Sequence, residues 1–511
     1  MQFIQKKLVA AVSGAVLLMT GQLALADSTN DLVDALISKG VLTEEEGKLL
    51  TKGHKGEVES ERKKRDKDWT SHIKLNGYVQ NRVTPIEGGD GGTVLWPDPS
   101  VGDDTSGGAG QTFRIRRARI IFSGQVGDHL GFYIQPDFAS AAGSVSGLPS
   151  NSAVSTSNNI TQLRDAYGDI FIDKGKVHRI RVGQSKVPFG YENLQSSSNR
   201  LALDRVDALN SAVRDERDTG AFYYYTPKDV QDLFKEIADS GLKHSGNYGM
   251  FGFGMYMGQG ANQNDSNDQW HKVARFTYPW KTESGQIFEM GIQGYKGKYV
   301  RSSGSYFING GNQSQAVVTN TLLSAGTFGT ASSGATNAVA RPTIDSANRK
   351  NSSSTNGEFD DERMAVSFRM YPQPWGLEGE WNWGRTPGLE MDEGTGGRIA
   401  NRNLQGGYVQ GSYYANNVRF MNMDIGNLIP FVRWQYFDGY NKAEINAPKN
   451  QVNDWEFGTE WQIAPEVELA VVYHRMKRTN MTTAGAHAAV NGAYRTFEAE
   501  ALRMQLQYNF F

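Results

Sequence analysis

The chain has 511 residues, no cysteine, 58 glycines, and 53 Lys plus Arg against 55 Asp plus Glu. Disulfides and thiolate metal sites are therefore excluded, and so is any nucleic-acid partner that relies on bulk positive charge; a preference for anions has to come from where the cations sit. Only 38% of residues are hydrophobic while aromatics reach 11%, a pairing that suits a membrane barrel, in which half of each strand faces water and aromatic rings girdle the interfaces.

In chain order the first element is an export signal. Lys6 and Lys7 precede an apolar run from Leu8 to Met19, and Ala24-Leu25-Ala26 supplies the small residues a signal peptidase cuts after, so residues 1–26 read as a cleaved signal peptide. The run is short for a spanning helix, which needs about 20 apolar residues. Removing it would take away two lysines and no acids, leaving a slightly acidic mature chain. Residues 27–68 read as a separate periplasmic helical and charged segment. Leu32, Leu36 and Ile37 share one side of a short helix, Thr43-x-x-Glu46 forms a capping box, and a mixed-sign run follows over 57–68. Self-association or cell-wall contact is the expectation there.

Residues 69–511 show strand periodicity in segments of about ten residues, the length a tilted membrane strand requires. Trp455, Phe457, Thr459, Trp461 and Ile463 alternate with Glu456, Gly458, Glu460 and Gln462. The last segment, running from Arg495 to Phe511, sets Leu502, Met504, Leu506, Tyr508 and Phe510 against Arg503, Gln505, Gln507 and Asn509. A period of two puts lipid on one side and water on the other, and this aromatic-ended strand is the expected signal for the barrel-assembly machinery. Short links at 125–129, 173–176, 372–374 and 464–466 alternate with long polar ones at 85–110, 139–160, 187–218, 301–360, 386–404, 439–452 and 478–494. A longer inward link at 227–247 carries a helix over 229–238. The reading is an all-β, closed antiparallel transmembrane barrel of about sixteen strands in a Gram-negative cell outer membrane. A soluble β-sandwich also alternates, but does not require the signal, the loop asymmetry and the aromatic terminus together.

Gly183-Gln-Ser-Lys-Val-Pro-Phe-Gly190, with Arg179 and Arg181 before it and Tyr191-Glu192-Asn193-Leu194 after it, resembles the phosphate-selective porin O and P family. Phe113-Arg-Ile-Arg-Arg-Ala-Arg119 and Gly131-Phe-Tyr-Ile-Gln-Pro-Asp-Phe138 resemble that family's first hairpin. The resemblance implies a homotrimer of sixteen-stranded barrels, each with a water-filled pore narrowed by an infolded third loop, here 187–218. Solutes would be small anions such as phosphate, diffusing passively without a cofactor. Acids in that loop, Asp204, Asp215 and Glu216, stand beside Arg200, Arg205, Arg214 and Arg217, so a non-selective or cation-preferring porin is the alternative, and a barrel-based surface adhesin a second.

Parity assigns the wall. Ala118, Ile120 and Phe122 facing lipid turn Arg117 and Arg119 into the lumen, because a cation at the lipid midplane costs about 2–4 kcal/mol. Arg114 and Arg116 then fall on the lipid parity near headgroup or lipopolysaccharide phosphates, unless a bulge turns them inward. Ile180 and Val182 facing out place Arg179 and Arg181 inside, beside Asp165 and Asp169 of the neighbouring strand, with Lys186 at the loop's start. These arginines either form a cationic wall or pair with the two aspartates. The eight histidines show no HExxH or paired metal-ligand spacing, and no Gly-x-Ser-x-Gly elbow occurs. Neither catalysis nor a metal is expected. The Ser/Asn/Gly-rich stretch 301–360 reads as an extracellular loop unable to fold alone.

Overall fold

A computed structural model describes residues 73–89, 94–96, 104–105, 112–139, 161–304, 306–307, 329–330, 338–340, 342–350, 355–390, 397–481 and 494–510. The expected signal peptide, the segment 27–68 and much of the loop 301–360 lie outside the described residues.

Sixteen antiparallel strands make a closed barrel. The first eight are β1 (Ile73–Thr84), β2 (Thr112–Val126), β3 (Leu130–Asp137), β4 (Gln162–Phe171), β5 (His178–Lys186), β6 (Arg217–Tyr225), β7 (Phe251–Tyr256) and β8 (His271–Lys281). The rest are β9 (Ile287–Ser302), β10 (Asn356–Met370), β11 (Trp375–Glu390), β12 (Arg398–Tyr413), β13 (Asn427–Tyr440), β14 (Lys449–Ala464), β15 (Val467–Met481) and β16 (Tyr494–Phe510). Each strand pairs with its sequence neighbour, and β1 closes on β16 with Gly77 opposite Phe510 and Val83 opposite Met504. Glycine is required at that seam: a Cβ on Gly77 would stand 2.4 Å from the Phe510 ring and 2.5 Å from the Arg119 carbonyl. Among the described residues no helix is long and apolar enough to cross a membrane.

The pleat sorts side chains as the alternation predicts. Ile170, Val182, Phe253, Met290, Trp455, Phe457 and Tyr508 are exposed on the outer face, where hydrocarbon covers them, while Arg503, Gln505 and Gln507 are buried inside. Strands β9 to β16 run to 14–17 residues, longer than the ten expected. Membrane crossing takes about 9–11 residues, so the surplus carries paired strand beyond the bilayer and shortens the connections to 391–397, 441–448 and 482–493. A further long connection, 257–270, joins β7 to β8 and was not anticipated. The inward link holds a helix over Lys228–Asp239, whose Val230, Phe234 and Ile237 pack with Leu242, Ile287 and Tyr371.

One parity assignment is corrected. Phe113 and Ile115 are the exposed residues at the outer end of β2, and Arg116 and Arg117 are buried in succession. The alternation slips by one between them, so Arg116 points inward, as does Arg114 between its two exposed neighbours. Lumenal carboxylates are cheaper company for a guanidinium than lipid.

Candidate functional site: the loop across the lumen

The connection between β5 and β6 turns into the barrel because its two ends are fastened together and its first turn is fastened to the strand. The Val187 N–H donates to the Glu216 carbonyl at 3.0 Å, closing the base of the loop. Lys186 Nζ donates to the Leu194 and Gln195 carbonyls at 3.0 and 2.5 Å. Gly190, at φ 85°, opens a short helix α1 (Tyr191–Leu194), a conformation that L side chains rarely adopt. Phe189 is fully buried edge-on against Tyr295 at 4.8 Å. The Gly-Gln-Ser-Lys-Val-Pro-Phe-Gly motif is thus a device for folding the chain inward.

Across the lumen the opposite wall receives the loop. Glu380 of β11 accepts the Tyr191 and Glu192 N–H groups at 2.7 and 3.2 Å. Arg363 of β10 donates to the carbonyls of Ala208 and Ser211, and Arg478 of β15 grips Asp207 at 2.8 and 2.9 Å. Leu201, Ala202 and Leu203 pack on Ile429, Phe431 and Val472; Val206, Ala208 and Leu209, around the short helix α2 (Asp207–Asn210), pack on Leu404, Tyr408 and Phe437. Burying these side chains, at about 1.5–3 kcal/mol each for the larger ones, holds the segment across the channel. The connection spans 187–216; Arg217 and Asp218, expected in the loop, begin β6.

Charge is concentrated where the loop meets β1, β2 and β16. Asp204 lies 2.8 Å from Arg82, 3.4 Å from Arg116 and 3.9 Å from Arg117, and also bonds Arg503. Burial alone would raise the Asp204 carboxyl, but Arg82, Arg503, Arg116 and Arg117 together hold it well below the usual carboxylate range. Asp204 thus ties the loop to guanidiniums of three strands of the wall.

The other expected residues are mostly paired. Arg119 donates to Asp137 at 2.7 Å and Tyr78 at 2.9 Å. Arg181 is bidentate on Asp169 at 2.8 and 2.9 Å, with Arg179 Nη1 3.6 Å from the same carboxylate. Asp165 is held by Arg217 at 2.8 Å. Arg205 bonds Glu216, which also accepts from Arg217 at 2.7 Å; Arg164 holds Asp215 at 3.1 Å. Arg214 is part-exposed, 3.9 Å from Asp215. An unpaired wall of Arg117, Arg119, Arg179 and Arg181 is therefore not what forms: adjacent strands put Asp169 directly opposite Arg181, and neutralisation wins. Arg117 donates to the neutral Gln80 at 2.7 Å and reaches Asp204 only at 3.9 Å.

Arg200 differs from its neighbours. It is 7% exposed, and none of its three guanidinium nitrogens has a hydrogen-bond partner. It lines a pocket between loop and wall with Glu192, Gln195, Lys243, Arg369 and Glu378. Buried lumenal carboxylates collect on the far side instead: Glu289, Glu380, Glu456 and Glu460 on β9, β11 and β14. Sequence reasoning did not find Arg82, Arg164, Arg363, Arg433, Arg478 or Glu380, whose partners are distant in sequence; strand parity carried the only signal, and it gives a face without a partner.

A profile described as phosphate-selective porin O and P matches residues 98–510. No curated protein matches the chain. Solved structures with a distant likeness include the outer membrane channel DcaP of Acinetobacter baumannii, at 13% identity and a TM-score of 0.45, covering 86% of this chain and 97% of that one. The anion-selective porin from Comamonas acidovorans stands at 12% identity and 0.42, covering 86% and 99%. The family match, and not these likenesses, carries the assignment. The chain belongs to the phosphate-selective porin O and P family, and it is an outer-membrane porin channel.

Proposed function

We propose that this porin passes small hydrophilic anions of the phosphate type by passive diffusion, past the 187–216 loop as constriction, and that it works as a homotrimer without a cofactor. The observation that supports the anion reading is Arg200, a buried guanidinium within the pore loop whose N–H groups have no hydrogen-bond acceptor. An unpaired buried charge is costly; an oxyanion passing through the loop supplies the missing acceptors. The carboxylates of the far wall favour a second reading, a general porin with a transverse field and little ion preference.

Reversal potentials across planar bilayers in a salt gradient separate the two. Anion preference is expected in the wild type, together with block of chloride current by millimolar phosphate, and Arg200→Ala should weaken that block by about tenfold or more, the worth of a hydrogen bond to a charged group. A cation-preferring wild type would overturn the proposal. A silent barrel would favour the adhesin, and cross-linking tests the trimer.

A further inference from the structure

Behind the constriction loop, β14 and β15 bring together an imidazole and two carboxylates that solute passage does not use. Glu456 and His474 are direct cross-strand partners, and Asp454 precedes Glu456 by two residues, so the pleat turns all three to the lumen side. Each is at most 1% exposed, and one ligand atom from each lies within 4.8 Å of the others.

Each carboxylate spends one oxygen on the protein and keeps the other. Asp454 Oδ2 lies 3.0 Å from His474 Nδ1 and accepts from Gln435 Nε2 at 3.2 Å. Glu456 Oε1 accepts from Arg433 Nε at 2.7 Å and Gln435 Nε2 at 3.0 Å. Asp454 Oδ1 and Glu456 Oε2 are buried with no hydrogen-bond partner. Leaving two buried carboxylate oxygens unsatisfied costs several kcal/mol on the scale of about 1–3 or more for each. Charge balance points the same way. Glu456 and Glu192 both bond Arg433, which holds Glu192 at 2.7 Å, while the neighbouring Arg478 is taken up by Asp207. Two carboxylates thus share one guanidinium, while Asp454 is held by Gln435 and His474.

We propose that Asp454, Glu456 and His474 bind one divalent transition-metal ion of the zinc type. A mixed imidazole and carboxylate set without thiolate suits zinc, manganese or cobalt better than the soft or all-oxygen ions. Metal–ligand bonds of about 2.0–2.2 Å place tetrahedral donors roughly 3.3 Å apart, so the three side chains close on the ion by small rotations. The ion draws on Glu456 and so leaves Arg433 to the loop, where it already holds Glu192 and donates to the Asp204 carbonyl at 3.0 Å. Metal loading therefore tightens the constriction.

The test uses the full-length protein purified in detergent, stripped with EDTA, equilibrated with zinc chloride, desalted and analysed for metal. About one zinc per chain is expected, and His474→Gln should weaken zinc binding at least tenfold while His129→Gln, at an exposed turn, should not change it. Wild type that retains no more zinc than His474→Gln, or loss of zinc in His129→Gln, overturns the proposal. Should His474→Gln fail to form a barrel, X-ray absorption on the zinc-loaded wild type decides: one imidazole with oxygen donors supports the site, and several imidazoles or oxygen donors alone refute it.

Discussion

Asp204→Asn removes a carboxylate that four arginines share, and its consequences can be worked from the distances. Arg82, Arg116 and Arg117 approach to 2.8, 3.4 and 3.9 Å, and Arg503 bonds it directly. At an effective dielectric of 20, a unit pair 4 Å apart is worth about 4 kcal/mol, but desolvation offsets most of the sum. Breaking a buried pair by removing one partner costs about 3–5 kcal/mol. At 1.4 kcal/mol per tenfold, that shifts the docked-to-released equilibrium of the 187–216 loop by roughly two to three orders of magnitude. The pore also gains one positive charge. Single-channel recordings should then show larger, noisier conductance and a stronger anion preference, and limited proteolysis should cut the loop where wild type resists. Adding Arg503→Gln should restore part of the quiet state by offsetting the added positive charge. If Asp204→Asn left conductance, noise and protease resistance unchanged, the node would not be what holds the loop, and the reasoning from it would fail.

Two more outcomes follow from pairing and burial. Arg181→Ala takes the bidentate partner from Asp169 and leaves it Arg179 at 3.6 Å, so it should lower barrel stability by at most about 3–5 kcal/mol and weaken anion preference by the loss of one lumenal cation; a heat-modifiable gel shift and reversal potentials read the two effects separately, and unaltered stability would contradict the pairing. His244, in the link between β6 and β7, is pushed down to about 4 by burial and by Arg369, and its Nδ1 accepts the Gly246 N–H at 2.9 Å. The docked link thus keeps the ring neutral while the released link takes a proton below about 6.5, so its stability is full above that pH and falls as pH drops from about 6.5 toward 4. Hydrogen exchange over 241–249 at pH 7.5 and 4.5 checks this: equal protection at both, or the same acid loss in His244→Gln, would refute it.

The sequence by itself determined the barrel, because lipid and water select the two faces of each strand and a period of two is written residue by residue. Arg503, Gln505 and Gln507 inside, with Leu502, Met504 and Leu506 outside, needed no partner information. It also marked where the chain turns inward, since the Lys186-Val-Pro-Phe-Gly190 run is local. Tertiary structure alone decided which charges survive as charges. Whether Arg181 is a free cation or the partner of Asp169 depends on strand register, and whether Arg116 meets lipid or Asp204 depends on a one-residue slip in β2. Arg200 became notable through what does not touch it. The Asp454, Glu456 and His474 cluster was invisible to any search for linear spacing, because a sheet brings ligands together across strands rather than along the chain.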